Sequence, residues 1–495
     1  MTDSVAIRRL PTGVPGLDEI LGGGMPEFSF NLIAGAPGSG KTTLAQQVMF
    51  NLARLDRPAL YFTVLGEPPL KMLRYEQQFQ FFDREKVNDS IRFLSLADEA
   101  TNGSPGDILA RITREVEAAN PGVVIVDSFR SLLRASTSMP ANELLSQHFV
   151  QQLAVQLTGW QATTFLVGEF PTSDIEANPV FTVADGILWL YQSIDRNSMV
   201  RKIHVMKLRG QASIPGLHTF RISESGVTVF PRLTIEPETP AEIRSGPAVK
   251  HERLSIGVTE LDAMLGGGVP AGYSVLVAGP SGSGKSVLSA EFLLEGVRRQ
   301  EGGVVAVFEK RPSKYAVNAQ RGAVIQQMAQ ERQIKIVQTR PLDLSIDETL
   351  HDLTEAIRQV NARRLVIDSL SGFELALAPT FREDFRESLY RMITLLTGMG
   401  VTVMLTAEIE DRYTELWFSP HGAAFLTDII ILQRYVVLDG ELRRIMGVVK
   451  ARASAHSKAL RTFEITDDAI VIGEALRGYD GLLTGRPVAV EVTNR

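Results

Sequence analysis

The chain alternates short, predominantly apolar runs with longer stretches of mixed polarity. In the first half such runs cover residues 30–34, 59–64, 123–126 and 163–168. In the second half they cover 273–278, 365–367 and 401–407. Runs of this length without a charged residue predict strands covered on both faces, as in a parallel sheet. Between them, 43–55 and 287–298 read as helices, and 141–157 as a long amphipathic region. Alternating strands and helices predict an α/β fold.

The pattern occurs twice. Thr12-Gly13-Val14-Pro15-Gly16-Leu17-Asp18 and Leu21-Gly22-Gly23-Gly24 open the first half. Ser255-Ile256-Gly257-Val258-Thr259-Glu260-Leu261-Asp262 and Leu265-Gly266-Gly267-Gly268 open the second. Later landmarks keep a nearly constant offset of about 243 positions, so the repeat is two whole domains and not a solenoid of short units. The reading is two tandem domains, residues 1–235 and 251–475, each a mostly parallel sheet flanked by helices. A linker, 236–250, lies in a Pro-, Glu- and Ser-rich stretch. The tail, 476–495, carries Gly478, Gly481, Gly485 and Pro487 and is expected to be an extended arm or flexible end.

Composition narrows the class. A chain of 495 residues with 44% hydrophobic and 22% charged residues exceeds one ordinary globular domain. A net charge of -6 leaves no footprint for nonspecific nucleic-acid binding. There is no cysteine, hence no disulfide framework and no thiolate zinc site. The 7 histidines are scattered without ligand spacing. The N-terminal residues are polar and short of a signal peptide, and no run of about 18 apolar residues marks a membrane span. Cytoplasm is the expected location.

Chemistry is concentrated in one stretch, present twice. Gly35-Ala36-Pro37-Gly38-Ser39-Gly40-Lys41-Thr42 and Gly279-Pro280-Ser281-Gly282-Ser283-Gly284-Lys285-Ser286 both fit G-x-x-x-x-G-K-[ST], the P-loop. Glycines let the backbone turn so that several N–H groups point at one anion. Lys41 and Lys285 add charge for the outer phosphates, and the hydroxyls of Thr42 and Ser286 can ligate Mg²⁺. With Thr43 and Val287 they make up two candidate nucleotide-binding segments, each between a predicted strand and a predicted helix.

Further along, Val123-Val124-Ile125-Val126-Asp127-Ser128 is echoed by Leu365-Val366-Ile367-Asp368-Ser369. An apolar strand ending in Asp either carries a carboxylate to a magnesium site, directly or through water, or caps a following helix. Behind a P-loop the metal reading is preferred for Asp127 and Asp368. Glu169 and Glu408 end later strands, where they could sense a γ-phosphate, position water, or simply be solvated. Asp185 and Asp428 precede hairpin-like strands that hold Lys207-Leu208-Arg209 and Lys450-Ala451-Arg452. Alternation places both cations of each pair on one face. Their recurrence beside the P-loops favours a phosphate-directed role over two solvated charges.

Together these features resemble the KaiC family of tandem RecA-like ATPases. The resemblance spans residues 12 to about 473, and is most specific in the paired openings, the P-loops and Lys207-Leu208-Arg209-Gly210. It implies two RecA-like domains, ATP with Mg²⁺, and a hexameric double ring holding nucleotide between subunits. It also implies that Lys207, Arg209, Lys450 and Arg452 reach the nucleotide of the adjacent subunit, as an arginine finger does. Two departures stand out. The family places two adjacent glutamates after the strand that follows the P-loop helix; here the second half keeps only Glu309, in Phe308-Glu309-Lys310, and the first has Glu67, in Gly66-Glu67-Pro68. Glu67 and Glu309 are taken as bases or water-orienting groups. Clock-type members also phosphorylate an adjacent Ser-Thr pair in the second domain. The matching positions here are Ala423 and Ala424, with Thr427 and Ser419 the nearby hydroxyls, so the phosphorylation cycle is expected to be absent unless Thr427 substitutes.

The leading reading is an ATPase that couples nucleotide state to ring conformation, with a regulatory output through an unknown protein partner. The alternatives are a serine/threonine autokinase, a RecA-like DNA-directed ATPase, and a nucleotide-stabilised scaffold. Without a basic, aromatic-interleaved loop, nucleic acid is not an expected partner.

Overall fold

The computed structural model describes residues 7–63, 69–102, 104–128, 152–153, 155–156, 159, 161–171, 179–195, 198–232, 252–308, 319–338, 344–382, 385–409, 423–452, 454–484 and 487–489. The chain divides into two compact units, Met1–Leu233 and Thr234–Arg495. The expected linker, 236–250, lies outside the described residues, as does most of the amphipathic region 141–157.

In the first unit, β1 (Arg9–Leu10) and β2 (Met25–Pro26) form a small antiparallel pair. The main sheet comprises β3 (Phe30–Gly35), β4 (Ala59–Thr63), β5 (Ile91–Ser95), β6 (Val123–Asp127), β7 (Thr163–Glu169), β8 (Gly186–Asp195), β9 (Ser198–Leu208), β10 (Leu217–Ser223) and β11 (Gly226–Phe230). Their order is β11-β10-β9-β8-β3-β7-β6-β4-β5. Neighbours from β8 to β5 run parallel, and β9, β10 and β11 are added antiparallel.

The second unit repeats this plan. A pair, β12 (Arg253–Leu254) and β13 (Val269–Pro270), precedes β14 (Ser274–Gly279), β15 (Gly302–Val307), β16 (Ile334–Gln338), β17 (Ala362–Asp368), β18 (Thr402–Glu408), β19 (Ile429–Leu438), β20 (Glu441–Ala451), β21 (Arg461–Ile465) and β22 (Ile470–Ala475). The order β16-β15-β17-β18-β14-β19-β20-β21-β22 is that of the first sheet read from its other edge. Two mostly parallel sheets flanked by helices are therefore the architecture, as the apolar runs predict.

Burial explains the runs. All residues of β3 and β4 are buried. Alternate side chains feed two cores: Phe30, Leu32, Leu60 and Phe62 on one face, Ile33, Tyr61, Ile125 and Phe165 on the other. The second face is covered by α2 (Lys41–Leu52), which follows the short α1 (Leu17–Ile20) and sends Leu44 and Val48 into the core. This helix begins two residues before the predicted start and ends at Leu52, where Ala53 turns extended. The helix Lys285–Arg298 also starts two residues early. In both cases the preceding glycine is left-handed, and the next residue already has helical geometry. Lys41 and Thr42 thus stand in the first turn.

The repeated Leu-Gly-Gly-Gly opening has a backbone cause. Gly22, Gly23 and Gly24 have φ of 75°, 115° and 118°, and Gly266, Gly267 and Gly268 have 73°, 106° and 105°. Three consecutive left-handed residues exclude any side chain with a Cβ at acceptable cost. The Asp of each opening ties the turn down: Thr12 Oγ1 donates to Asp18 (2.7 Å), and Ser255 Oγ to Asp262 (2.5 Å).

The tail differs from expectation. Tyr479–Asp480 pairs antiparallel with Val488–Ala489, and Leu482 is buried against Val436, Leu438 and Ile445. The described part of the tail is folded because this apolar side chain is worth removing from water. Among the described residues, no helix is long and apolar enough to cross a membrane.

One buried cation belongs to the second unit alone. Arg364, 0% exposed, donates to Glu301 (2.6 Å) and to the carbonyls of Ser255 (2.7 Å) and Phe292 (2.8 Å), and lies over the Phe292 ring. Arg364→Ala leaves Glu301 only the longer pair with Arg363 (3.6 Å), frees two carbonyls and opens a void, so we expect a loss of about 3 kcal/mol in chemical denaturation. Its sheet equivalent in the first unit is Val123, already apolar.

Candidate nucleotide sites

Parallel strands end at one edge of the sheet, and that edge gathers the candidate residues. Gly35, the last residue of β3, pairs with Glu169, the last of β7. Asp127 ends β6 and pairs with Thr63 of β4 and Val167 of β7. In the second unit Gly279 pairs with Glu408, and Asp368 with Val307. The glycine turn, the strand-end Asp and the strand-tip Glu thus share one rim in each unit.

The turn is built for an anion. Gly38 and Gly40 have φ of 74° and 99°, and Gly282 and Gly284 have 76° and 108°. A Cβ at Gly40 would meet Ile222 Cδ1 at 2.5 Å; one at Gly284 would meet Ile465 Cδ1 at 2.4 Å. The turn leads straight into a helix N-terminus, where unsatisfied N–H groups favour negative charge. Lys41 Nζ donates to Ala36 O (2.7 Å), and Lys285 Nζ to Gly279 O (2.9 Å) and Pro280 O (2.8 Å). Each ammonium is folded over its own turn. Burial lowers the Lys41 pKa, against the opposing pull of the Glu169 and Asp127 carboxylates. An anion bound in the turn would offset that desolvation cost.

The strand-end carboxylates are held differently in the two units. Asp127 accepts from Thr42 Oγ1 (2.8 Å) and from Tyr61 OH (2.7 Å). Burial raises its pKa, and the two hydroxyls oppose that rise. Asp368 instead accepts from Thr406 Oγ1 (2.5 Å), and its Oδ2 is buried without a hydrogen-bond partner. The helix Leu370–Ala376 is capped by Ser369, whose side chain accepts from Gly372 N (3.1 Å), so capping does not account for Asp368. A cleft of about 390 Å³ is lined by Lys285, Ser286, Asp368, Glu408 and Arg444. In the first unit a cavity of about 240 Å³ is lined by Thr42, Thr43, Tyr61, Glu76 and Asp127.

These donors are hard oxygens, and an orphaned buried Asp368 oxygen beside Ser286 suits Mg²⁺. Among the described residues no group of three His, Cys, Asp or Glu converges on a metal position. A cation here would therefore lean on phosphate and water oxygens, as Mg²⁺ with a nucleotide does.

The Lys-x-Arg pairs lie past a feature invisible in the sequence. Ile187 faces Lys207 but Leu188 faces Val205, leaving Met206 as a bulge; Ile430 faces Lys450 but Ile431 faces Val448, leaving Val449. The bulges re-aim the strand ends. Lys207 Nζ donates to Thr182 O (2.8 Å), and Arg209 pairs with Asp185 (3.1 Å). Lys450 Nζ donates to Ala424 O (2.8 Å) and Thr427 O (2.5 Å), and Arg452 pairs with Asp428 (3.6 Å). Arg209 and Arg452 are 58% and 50% exposed, so each guanidinium is open to a second molecule. Asp185 and Asp428 also accept from the backbone N–H of Phe30 (3.1 Å) and Ser274 (3.0 Å), at the starts of β3 and β14.

Glu67, Glu309 and Ser419 lie outside the described residues. Ala424 is in the short helix Ala423–Leu426, and the Thr427 side chain is 0% exposed. Of the lining residues named above, Tyr61 reads as core in the sequence, Glu76 as one polar residue of a charged helix, and Arg444 as part of a hairpin strand. Glu76 ends α3 (Pro69–Glu76), is 1% exposed, and burial raises its pKa to about 8. A carboxyl raised in this way favours the folded chain while protonated. That contribution is complete below the usual carboxylate range and is lost as pH rises through about 8. We expect Glu76→Gln to raise Tm of the ligand-free protein at pH 8.5, with the difference vanishing near pH 5, as read by calorimetry.

Comparison with known proteins places this geometry. A model of the KaiC ATPase family matches residues 10–234 and again 254–477. The circadian clock oscillator protein KaiC of Picosynechococcus sp. is 25% identical over 504 residues, 99% of this chain and 94% of the relative. Circadian clock oscillator protein KaiC 1 of Synechocystis sp. is 25% identical over 506 residues, 99% and 93%. The KaiC protein of Rippkaea orientalis is 26% identical over 498 residues, again 99% and 93%. With one family model covering both halves, on two sheets that bring glycine turn, hydroxyl and carboxylate to one rim, this chain is a member of the KaiC family of ATPases.

Proposed function

We propose that each unit binds ATP with Mg²⁺ at its glycine turn and hydrolyses it, and that the nucleotides lie between subunits of a homohexameric ring. The observation that carries this reading is the repeated rim: turn, first-turn hydroxyl and strand-end carboxylate in both units, with exposed arginines just past the ends of the bulged strands. Backbone N–H groups of residues 35–43 and 279–287, other than Pro37 and Pro280, cradle the phosphates, and Lys41 and Lys285 neutralise them. Bound Mg²⁺, held by Thr42 or Ser286 and by Asp127 or Asp368 through water, would supply charge neutralisation at the β- and γ-phosphates.

In the hydrolytic step water attacks the γ-phosphorus, the bond to the ADP oxygen breaks, and the water proton passes to a base. Glu67 and Glu309 are the bases proposed. Lys207 with Arg209, and Lys450 with Arg452, stabilise the transition state from the neighbouring subunit. Turnover changes a ring face that a regulatory protein reads, an output supported by the clock-oscillator names of the relatives. The autokinase alternative loses support from Ala423 and Ala424 and from the buried Thr427 side chain.

Two experiments test this. Lys41→Ala and Lys285→Ala should each abolish one unit's share of phosphate release, and the double variant all of it. Sedimentation should give about six subunits with Mg-ATP; a single chain in saturating nucleotide would refute the ring. Second, Arg209→Ala should lower first-unit turnover about a thousandfold with nucleotide still bound. Mixing it with Lys41→Ala should restore activity in mixed rings. No recovery on mixing would mean that the cations act within their own chain.

A further inference from the structure

Glu76 is the one carboxylate of the first cavity with no hydrogen-bond partner at either oxygen, and it is 1% exposed. Taking a carboxylate out of water without a donor is costly, and among the described residues the lining of this cavity holds no cationic side chain. Yet it is not sealed in apolar core. It lines a cavity of about 240 Å³ with Thr42, Tyr61 and Asp127, room for several waters. Two of those neighbours are the residues proposed for the metal side of the site, and Lys41 is not in this lining. The cavity therefore lies on the cation side of the turn. Tyr61 has its hydroxyl committed to Asp127, so it is not a donor to Glu76.

Among the described residues, the second unit does not repeat this arrangement. The sheet equivalent of Tyr61 is Val305, and Asp368 takes its hydrogen bond from Thr406 instead. The lining of the second cleft, with Glu408 and Arg444, contains no such buried glutamate.

We propose that Glu76 is a positioning residue of the first nucleotide site: its carboxylate accepts from the water shell of the nucleotide-bound divalent cation. Waters donate to Glu76 and coordinate through their oxygens, which gives the carboxylate the donors that the protein withholds. The inference rests on the nucleotide-binding reading above and deepens it.

The test uses the full chain saturated with a non-hydrolysable ATP analogue, AMP-PNP, with Mn²⁺ in place of Mg²⁺ and free Mn²⁺ counted by electron paramagnetic resonance. The parent should bind two Mn²⁺ per chain. Glu76→Gln keeps the shape and removes the charge; it should keep one site at parental affinity and weaken the other about tenfold or more. Analogue binding in excess chelator should stay at two per chain in both proteins. Two parental Mn²⁺ sites in the variant would overturn the inference and leave the nucleotide reading intact. Equal loss of metal-free analogue binding would make Glu76 a packing residue and overturn it too. A parent that binds no Mn²⁺ with analogue would overturn both readings.

Discussion

The structure depends on the parallel register of β3 between β7 and β8, and of β14 between β18 and β19. A one-residue slip would send the buried face of either strand to the wrong core and move the glycine turn off the rim. The slip is costly because both faces are apolar: Phe30 and Leu32 belong to one core, Ile33 to the other. Packing on two sides, not any single polar contact, sets where the turn meets Glu169 and Asp127. The hydrogen bonds from Thr42 and Tyr61 to Asp127 then act on a geometry already in place.

Upon that shared scaffold the two units have diverged. In the second, Asp368 keeps one oxygen without a partner and faces a cleft that also holds Arg444. In the first, Asp127 is engaged by two hydroxyls while Glu76 stands unpartnered across the cavity. A buried carboxylate that weakens the ligand-free fold at high pH is retained where a cation would relieve it. Stability and ligand binding are in opposition at this one side chain, a common condition of functional sites. Arg364 shows another outcome: a buried charge is held by an acid, two carbonyls and an aromatic face, with one guanidinium nitrogen left unpartnered.

The antiparallel extension of each sheet has its own logic. The bulges at Met206 and Val449 recur in both units and sit just before the Lys-x-Arg pairs. Lysine is anchored to carbonyls of the preceding segment, and arginine keeps a half-exposed guanidinium beside an aspartate. That aspartate also accepts from the first residue of the P-loop strand, so the cations and the turn are connected through Asp185 and Asp428.

Much of this was legible from residue order alone. The duplication, the α/β class, both glycine turns and the Asp-tipped strands follow from local composition, because apolar runs and glycine-rich turns act on their own few residues. Other features depended on residues distant in sequence. Tyr61 reads as core until its hydroxyl is found against Asp127, and Glu76 reads as solvated until packing of the end of α3 buries it. Leu482 reads as part of a loose tail until Val436 and Ile445 cover it. The backbone motif states what a segment is able to bind; which side chains lose water, and which buried oxygen is left without a donor, is settled only when separate segments pack together.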